Sequence, residues 1–155
     1  METRRRVEGL IDFIAERYTN AAEIGIGLFP DVALALQKRG VKVFATDIRP
    51  YVHNGLDVFL DDITGPDLSL YDGIDVLYSM RTPAELVPYM TVLAKTISAD
   101  AIVKPLSSEY PEGWKFIKNR NTAFFLLNSI EKVFNNEKII TNKKSSRQES
   151  YLSRR

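Results

Sequence analysis

The sequence predicts an α/β fold, a mostly parallel sheet covered by helices on both faces and finished by an antiparallel hairpin. Three observations predict it. Short apolar runs without strict alternation recur along the chain, as strands buried on both faces require. Segments with apolar residues at helical spacing separate several of these runs, the order expected of a parallel sheet with right-handed crossovers. Toward the C-terminal end, residues 114–117 and 122–127 flank the polar stretch 118–121, which is a hairpin signal.

The elements follow in order. Val7, Leu10, Ile11 and Ile14 fall on one helical face, and Thr19-Asn20 ends that helix with turn chemistry. A short apolar strand over residues 21–26 is broken by Gly25 and Gly27. Pro30-Asp31 opens a second helix, with proline at the first helical position and an acid in the first turn, and Gly40 stops it. Residues 41–47 read as a buried strand ending in Asp47. A polar loop with Pro50, His53 and Gly55 leads to a third short strand, 57–60, which ends in Asp61-Asp62. Gly65-Pro66 and Asp72-Gly73 bracket a connection with little room for a helix. Residues 74–80 form a fourth strand, Pro83 opens a helix that runs to about Ser98, and residues 101–106 form a fifth strand.

Composition narrows the chemistry. The 155 residues fit one domain, and 45% hydrophobic with 26% charged residues is the mixture of a globular core. With no Cys and the single His53, disulfides, thiolate nucleophiles and multi-histidine metal sites are excluded, and no metal is expected. The net charge of +1 conceals an asymmetry, since residues 131–155 carry +4 and the rest −3. The domain is therefore expected to span 1–128, followed over 129–155 by a short helix and a basic, disordered tail. No apolar run approaches the ~20 residues that span a bilayer, and no signal peptide is legible. A cytoplasmic protein with no membrane association is expected.

One constellation points to a ligand. Glu23-Ile24-Gly25-Ile26-Gly27 joins a strand to a helix, where glycines let backbone approach a ligand closely. Twenty residues past Gly27, Asp47 stands at the next strand end, placed to accept the hydroxyl protons of a ribose. The dinucleotide fingerprint wants a third glycine where this chain has Pro30. An acid at Glu23 repels phosphates and attracts an ammonium or sulfonium group, so the local charge favours a cationic nucleoside over a dinucleotide. A plain tight turn explains the same glycines equally well.

These residues resemble the first two motifs of class I S-adenosylmethionine-dependent methyltransferases. More closely, residues 23–50, Asp61-Asp62-Ile63-Thr64, Tyr78-Ser79-Met80-Arg81 and Lys104-Pro105-Leu106 resemble uncharacterised protein family 0146, a small archaeal group. The resemblance covers residues 5–128 and implies a Rossmann-like fold with a methyltransferase-type sheet. It implies S-adenosylmethionine as cofactor, with Gly25 and Gly27 along its methionine part, Glu23 near its amine, Asp47 on the ribose and Asp62 facing the adenine amino group. A small molecule or RNA is the implied methyl acceptor. Three departures favour binding over turnover. Phe29 replaces a loop glycine, and Ser79-Met80-Arg81-Thr82-Pro83 replaces the Asn- or Asp-Pro-Pro-aromatic motif of amino-methylating enzymes. Residues 107–113 are also too few for the usual crossover helix.

Ser79, Arg81 and Lys104, at adjacent strand ends, are candidate contacts for an anionic substrate; the alternative for the two cations is salt bridging to Glu23, Asp47 or Asp62. Asp61-Asp62 reads equally as a surface turn or cap, and His53 as a solvated side chain or a general base. Two other functions compete with nucleoside binding. One is a non-catalytic adaptor on a degenerate methyltransferase scaffold. The other is an NAD(P)-dependent oxidoreductase, against which Pro30 and Glu23 argue.

Overall fold

The computed structural model describes residues 2–106 and 111–129. The expected tail from residue 130 onward lies outside them, as do residues 107–110 between the fifth strand and the hairpin.

Seven strands form one sheet. They are β1 (Asn20–Ile24), β2 (Lys42–Asp47), β3 (Val58–Leu60), β4 (Val76–Thr82), β5 (Asp100–Pro105), β6 (Lys115–Asn119) and β7 (Thr122–Leu127). Their spatial order is β3-β2-β1-β4-β5-β7-β6. The first five pair in parallel, whereas β7 runs antiparallel to both β5 and β6. The fold is Rossmann-like with a methyltransferase-type sheet, as the sequence predicts. The strand order reverses between β1 and β4, and such switch points open a crevice at the carboxyl ends of the strands.

Helices cover both faces. α1 (Glu2–Arg17) and α2 (Asp31–Lys38) lie on one side, where Leu10, Ile14 and Leu36 are fully buried with Ala21, Val76 and Tyr78 of the sheet. α3 (Val87–Ile97) lies on the other, where Met90, Leu93 and Ala94 pack on Ala22, Leu77 and Ala101. Alternate strand residues thus feed two separate cores, which is why the strands read as unbroken apolar runs. Each fully buried Leu or Ile contributes on the order of 1.5–3 kcal/mol.

Local chemistry refines the expected boundaries. Pro30 sits at the N-cap of α2, one residue earlier than expected, and its carbonyl accepts the first helical bond from Leu34 at 2.9 Å. Pro83 caps a single 3-10 turn, Ala84–Leu86, and α3 starts only at Val87. Ser98 ends α3 in the left-handed conformation at φ 61°. The connection judged too short for a helix holds one 3-10 turn, Leu68–Tyr71, capped by the Asp67 side chain.

α1 seats directly on the hairpin through Gly9. Its amide donates to Thr122 Oγ1 at 2.9 Å, and its carbonyl accepts from Asn119 Nδ2 at 2.8 Å. Asp12, one turn on, meets both Arg39 after α2 and Arg120 in the hairpin turn. No helix among the described residues is long and apolar enough to cross a membrane.

Candidate functional site

The candidate site is built where β1, β2 and β4 end. After Ile24 the chain turns through Gly25 at φ 74° and Gly27 at φ 58°, a region that residues with a Cβ seldom enter. The amides of Gly25 and Ile26 both donate to the Thr46 carbonyl, at 2.9 and 3.2 Å, so the loop curls over the end of β2. A Cβ built on Gly25 or Gly27 would meet nothing within 4 Å. The glycines are there for backbone conformation, and open ground lies above them.

Asp47 holds the loop. One carboxylate oxygen accepts the Gly27 amide at 2.9 Å, and the other accepts the Arg49 amide at 3.1 Å. His53 holds the other side of the same residue, with Nε2 2.8 Å from the Gly27 carbonyl oxygen. A carbonyl only accepts, so Nε2 carries the proton. His53 is thus not a merely solvated side chain; it is a strut for the glycine loop. Sequence reasoning had no signal for this bond, which joins residues 26 positions apart.

Glu23 departs most from expectation. Strand alternation turns its side chain away from the crevice and toward the α1–α2 core, the side that also receives Ala21. The residue is 1% exposed and accepts a hydrogen bond from the Tyr78 hydroxyl at 2.8 Å. Burial pushes its carboxyl up to about 8, opposed only in part by the bond from Tyr78. At neutral pH the group is predominantly uncharged, so it supplies no countercharge to an ammonium or sulfonium. The electrostatic preference expected from the sequence disappears because the carboxyl is desolvated, not exposed.

The acids after β3 divide their work. Asp61 accepts from the Tyr71 hydroxyl at 2.7 Å and the Asp67 amide at 2.9 Å, which anchors the 3-10 turn. Asp62 is exposed, and its Oδ1 accepts both the Thr64 amide at 3.0 Å and the Thr64 hydroxyl at 2.8 Å. Those bonds hold the Asp62 carboxyl below its ordinary range. The turn reading of this pair therefore describes its geometry.

β4 carries a bulge at its carboxyl end. Ser79 pairs with Val103 and Thr82 with Pro105, so β4 spends one residue more than β5 over the same stretch. Arg81 takes the strain at φ 48°, and the Thr82 hydroxyl closes the bulge by donating to the Ser79 carbonyl at 3.0 Å. The Arg81 guanidinium lies 4.4 Å from the centre of the Phe29 ring, bridging the bulge to the glycine loop. Among the described residues no carboxylate forms an ion pair with Arg81. Lys104 points elsewhere, donating to the Ala123 carbonyl of β7 at 3.1 Å. A cleft of about 70 Å³ opens at the switch point, lined by Ile24, Gly25, Ser79, Met80, Arg81 and Thr82, with apolar side chains from Ile63, the 3-10 turn after β4 and Met90 of α3 completing it.

Comparison with known proteins agrees with the sequence. The model of the Uncharacterised protein family (UPF0146) matches residues 8–130. A UPF0146 protein of Archaeoglobus fulgidus is 36% identical over 120 residues, which cover 76% of this chain and 92% of the relative. One from Methanocaldococcus jannaschii is 38% identical over 111 residues, covering 68% and 80%. Among solved structures, the chain is similar to an S-adenosyl-L-methionine methyl transferase from Silicibacter pomeroyi at 12% identity and a TM-score of 0.48, over 81% of this chain and 90% of that one. It is also similar to the N-terminal domain of EvdMO1 with SAH bound, at 12% identity and a TM-score of 0.42, over 86% and 67%.

Proposed function

This chain belongs to the uncharacterised protein family UPF0146, and from its strand-end geometry we propose that it binds an adenine nucleoside, S-adenosylmethionine or a relative, at the glycine loop. One observation carries the reading: a glycine loop tied to a strand-end carboxylate beside a cleft at the topological switch point. In this reading the open backbone at Gly25 and Gly27 lies under the ligand, Asp47 accepts a ribose hydroxyl proton and Asp62 accepts from the adenine amino group. Ser79 and Arg81 face the far end of the ligand or an acceptor, and Lys104 is a more distant contact. Glu23 acts from beneath, positioning the end of β1 through Tyr78.

S-adenosylmethionine, when bound, supplies an electrophilic methyl group. Transfer to a small molecule or RNA would ask the protein mainly to align donor and acceptor, which suits a site without an evident acid–base pair. The decisive experiment is titration of the folded chain with S-adenosylmethionine and its demethylated product by calorimetry and ligand-observed NMR. Saturable binding is expected; a folded protein that binds neither at millimolar concentration overturns the proposal.

A second reading has its own observation. The cleft of about 70 Å³ is small beside the ~300 Å³ at which small-molecule pockets begin. Leu28, Phe29, Ile48 and Val52, all on loops leaving the same sheet edge, are exposed. Those facts favour a non-catalytic adaptor that kept the scaffold, and the same titration separates the two readings.

A further inference from the structure

The reading above leaves the ligand's charge open, and the cleft bears on it directly. Of the side chains that line it, Arg81 alone is charged; Ser79 and Thr82 add hydroxyl groups, and the remainder are apolar or glycine. Glu23, which precedes Ile24, is shut away on the opposite side of β1, and Glu85, which precedes Leu86, is exposed outside the lining. Asp47 already accepts two backbone amides, and Asp62 is occupied with Thr64. The charged side chain that lines the cleft itself is a cation.

Arg81 is also presented in a particular way. Its left-handed backbone is rare for a residue with a side chain, and such outliers gather at ligand sites. Its guanidinium carbon is held over the Phe29 ring, 4.4 Å from the ring centre. A guanidinium so placed carries five N–H donors in a planar fork, the geometry that matches a carboxylate or phosphate. Size agrees. The cleft, at about 70 Å³, is small beside the ~300 Å³ at which pockets for whole ligands begin, and it suits a compact head group. β4 lies two strand spacings from β2, about 10 Å at ~4.8 Å each, so a nucleoside seated at Asp47 enters the cleft only with its 5′ arm.

We propose that Arg81 clamps an anionic group on the 5′ arm of the nucleoside, and that the site selects nucleosides carrying that anion over neutral ones. The inference rests on nucleoside binding as proposed above. A phosphate and an amino-acid carboxylate offer the same chemistry to the guanidinium, and the test separates them.

The full chain is titrated by calorimetry with adenosine, adenosine 5′-monophosphate and S-adenosylhomocysteine at low and high NaCl. At least one of the two ligands that carry an anionic group, a phosphate in one and the carboxylate of a zwitterion in the other, is expected to bind about tenfold or more tightly than adenosine, the worth of one charge-assisted contact, with the advantage shrinking in salt. Whichever anion gains more identifies the group the clamp takes. Arg81→Gly suits the left-handed backbone and should fold; it is expected to erase the advantage while leaving adenosine affinity unchanged, and Arg81→Lys to restore part of it. Equal binding of adenosine and both other ligands by the wild type, or an advantage that survives Arg81→Gly, overturns the clamp and leaves nucleoside binding standing. Failure of adenosine and both other ligands to bind overturns both.

Discussion

The Asp47 carboxylate accepts the amide proton of Gly27 across 2.9 Å, joining the end of β2 to the loop that leaves β1. The same carboxylate takes the Arg49 amide, so it shapes the loop as well as facing the crevice. Asp47→Ala is expected to abolish nucleoside binding and to lower stability by about 1–2 kcal/mol, the net worth of its two amide bonds, one part-buried and one exposed. Urea unfolding and calorimetry measure the two effects separately. A variant that binds nucleoside as well as wild type removes Asp47 from the site.

Glu23 gives the protein a pH dependence of definite sign. Its carboxyl titrates near 4.5 when unfolded and about 8 when folded. Between those values the folded state holds more protons than the unfolded one, so stability falls as pH rises through that window. The slope approaches but does not exceed about 1.4 kcal/mol per pH unit. Glu23→Gln keeps an acceptor for Tyr78 and cannot ionise, so it should flatten the slope and be the more stable protein at pH 8. Parallel slopes for variant and wild type between pH 5 and 8 would mean that Glu23 is ionised in the fold.

Gly9→Ala reverses the usual rule for helices. In an exposed helix interior alanine stabilises by about 1 kcal/mol over glycine. Here the added Cβ would fall 1.8 Å from the Asn119 carbonyl oxygen and 2.9 Å from Thr122 Oγ1. Backbone cannot yield as a flexible side chain does, so the substitution should destabilise by about 1–3 kcal/mol through overpacking of α1 on the hairpin. A thermal melt decides; an unchanged or raised Tm shows that α1 is not seated on that turn.

Asp62 offers a selective test of the adenine contact. Both of its bonds to Thr64 fall on Oδ1. The other oxygen is the one assigned to the adenine amino group, which inosine lacks. Wild type should prefer adenosine to inosine, and Asp62→Ala should lose that preference without losing the fold. A preference retained by the variant returns Asp62 to the role of a turn residue.

Much of the fold was legible because it follows local rules. Residues 41–47 are apolar enough for a two-sided strand, Val7 to Ile14 carry a helical period, and 118–121 are polar between two apolar runs. Three places were less legible. The β4 bulge depends on how Ser79 and Thr82 register against β5, which no property of β4 alone reveals. His53 on Gly27 and Arg81 on Phe29 join loops far apart in the chain. A residue's type states which bonds it is able to make, and only the packing of strand ends selects the partner.

The sequence by itself determined the order of strands and helices, the glycine turn and the carboxylate that answers it, because each is a matter of period, backbone freedom or strand-end placement. Tertiary structure alone decided the charge of the site. Glu23 reads as an anion in the sequence, yet its place on β1 turns it into the core, where desolvation neutralises it. Arg81 reads as one cation among many, yet the bulge lifts it over Phe29 at the mouth of the cleft. Ionisation depends on the dielectric around a group, and that is a property of the packed fold, not of the residue.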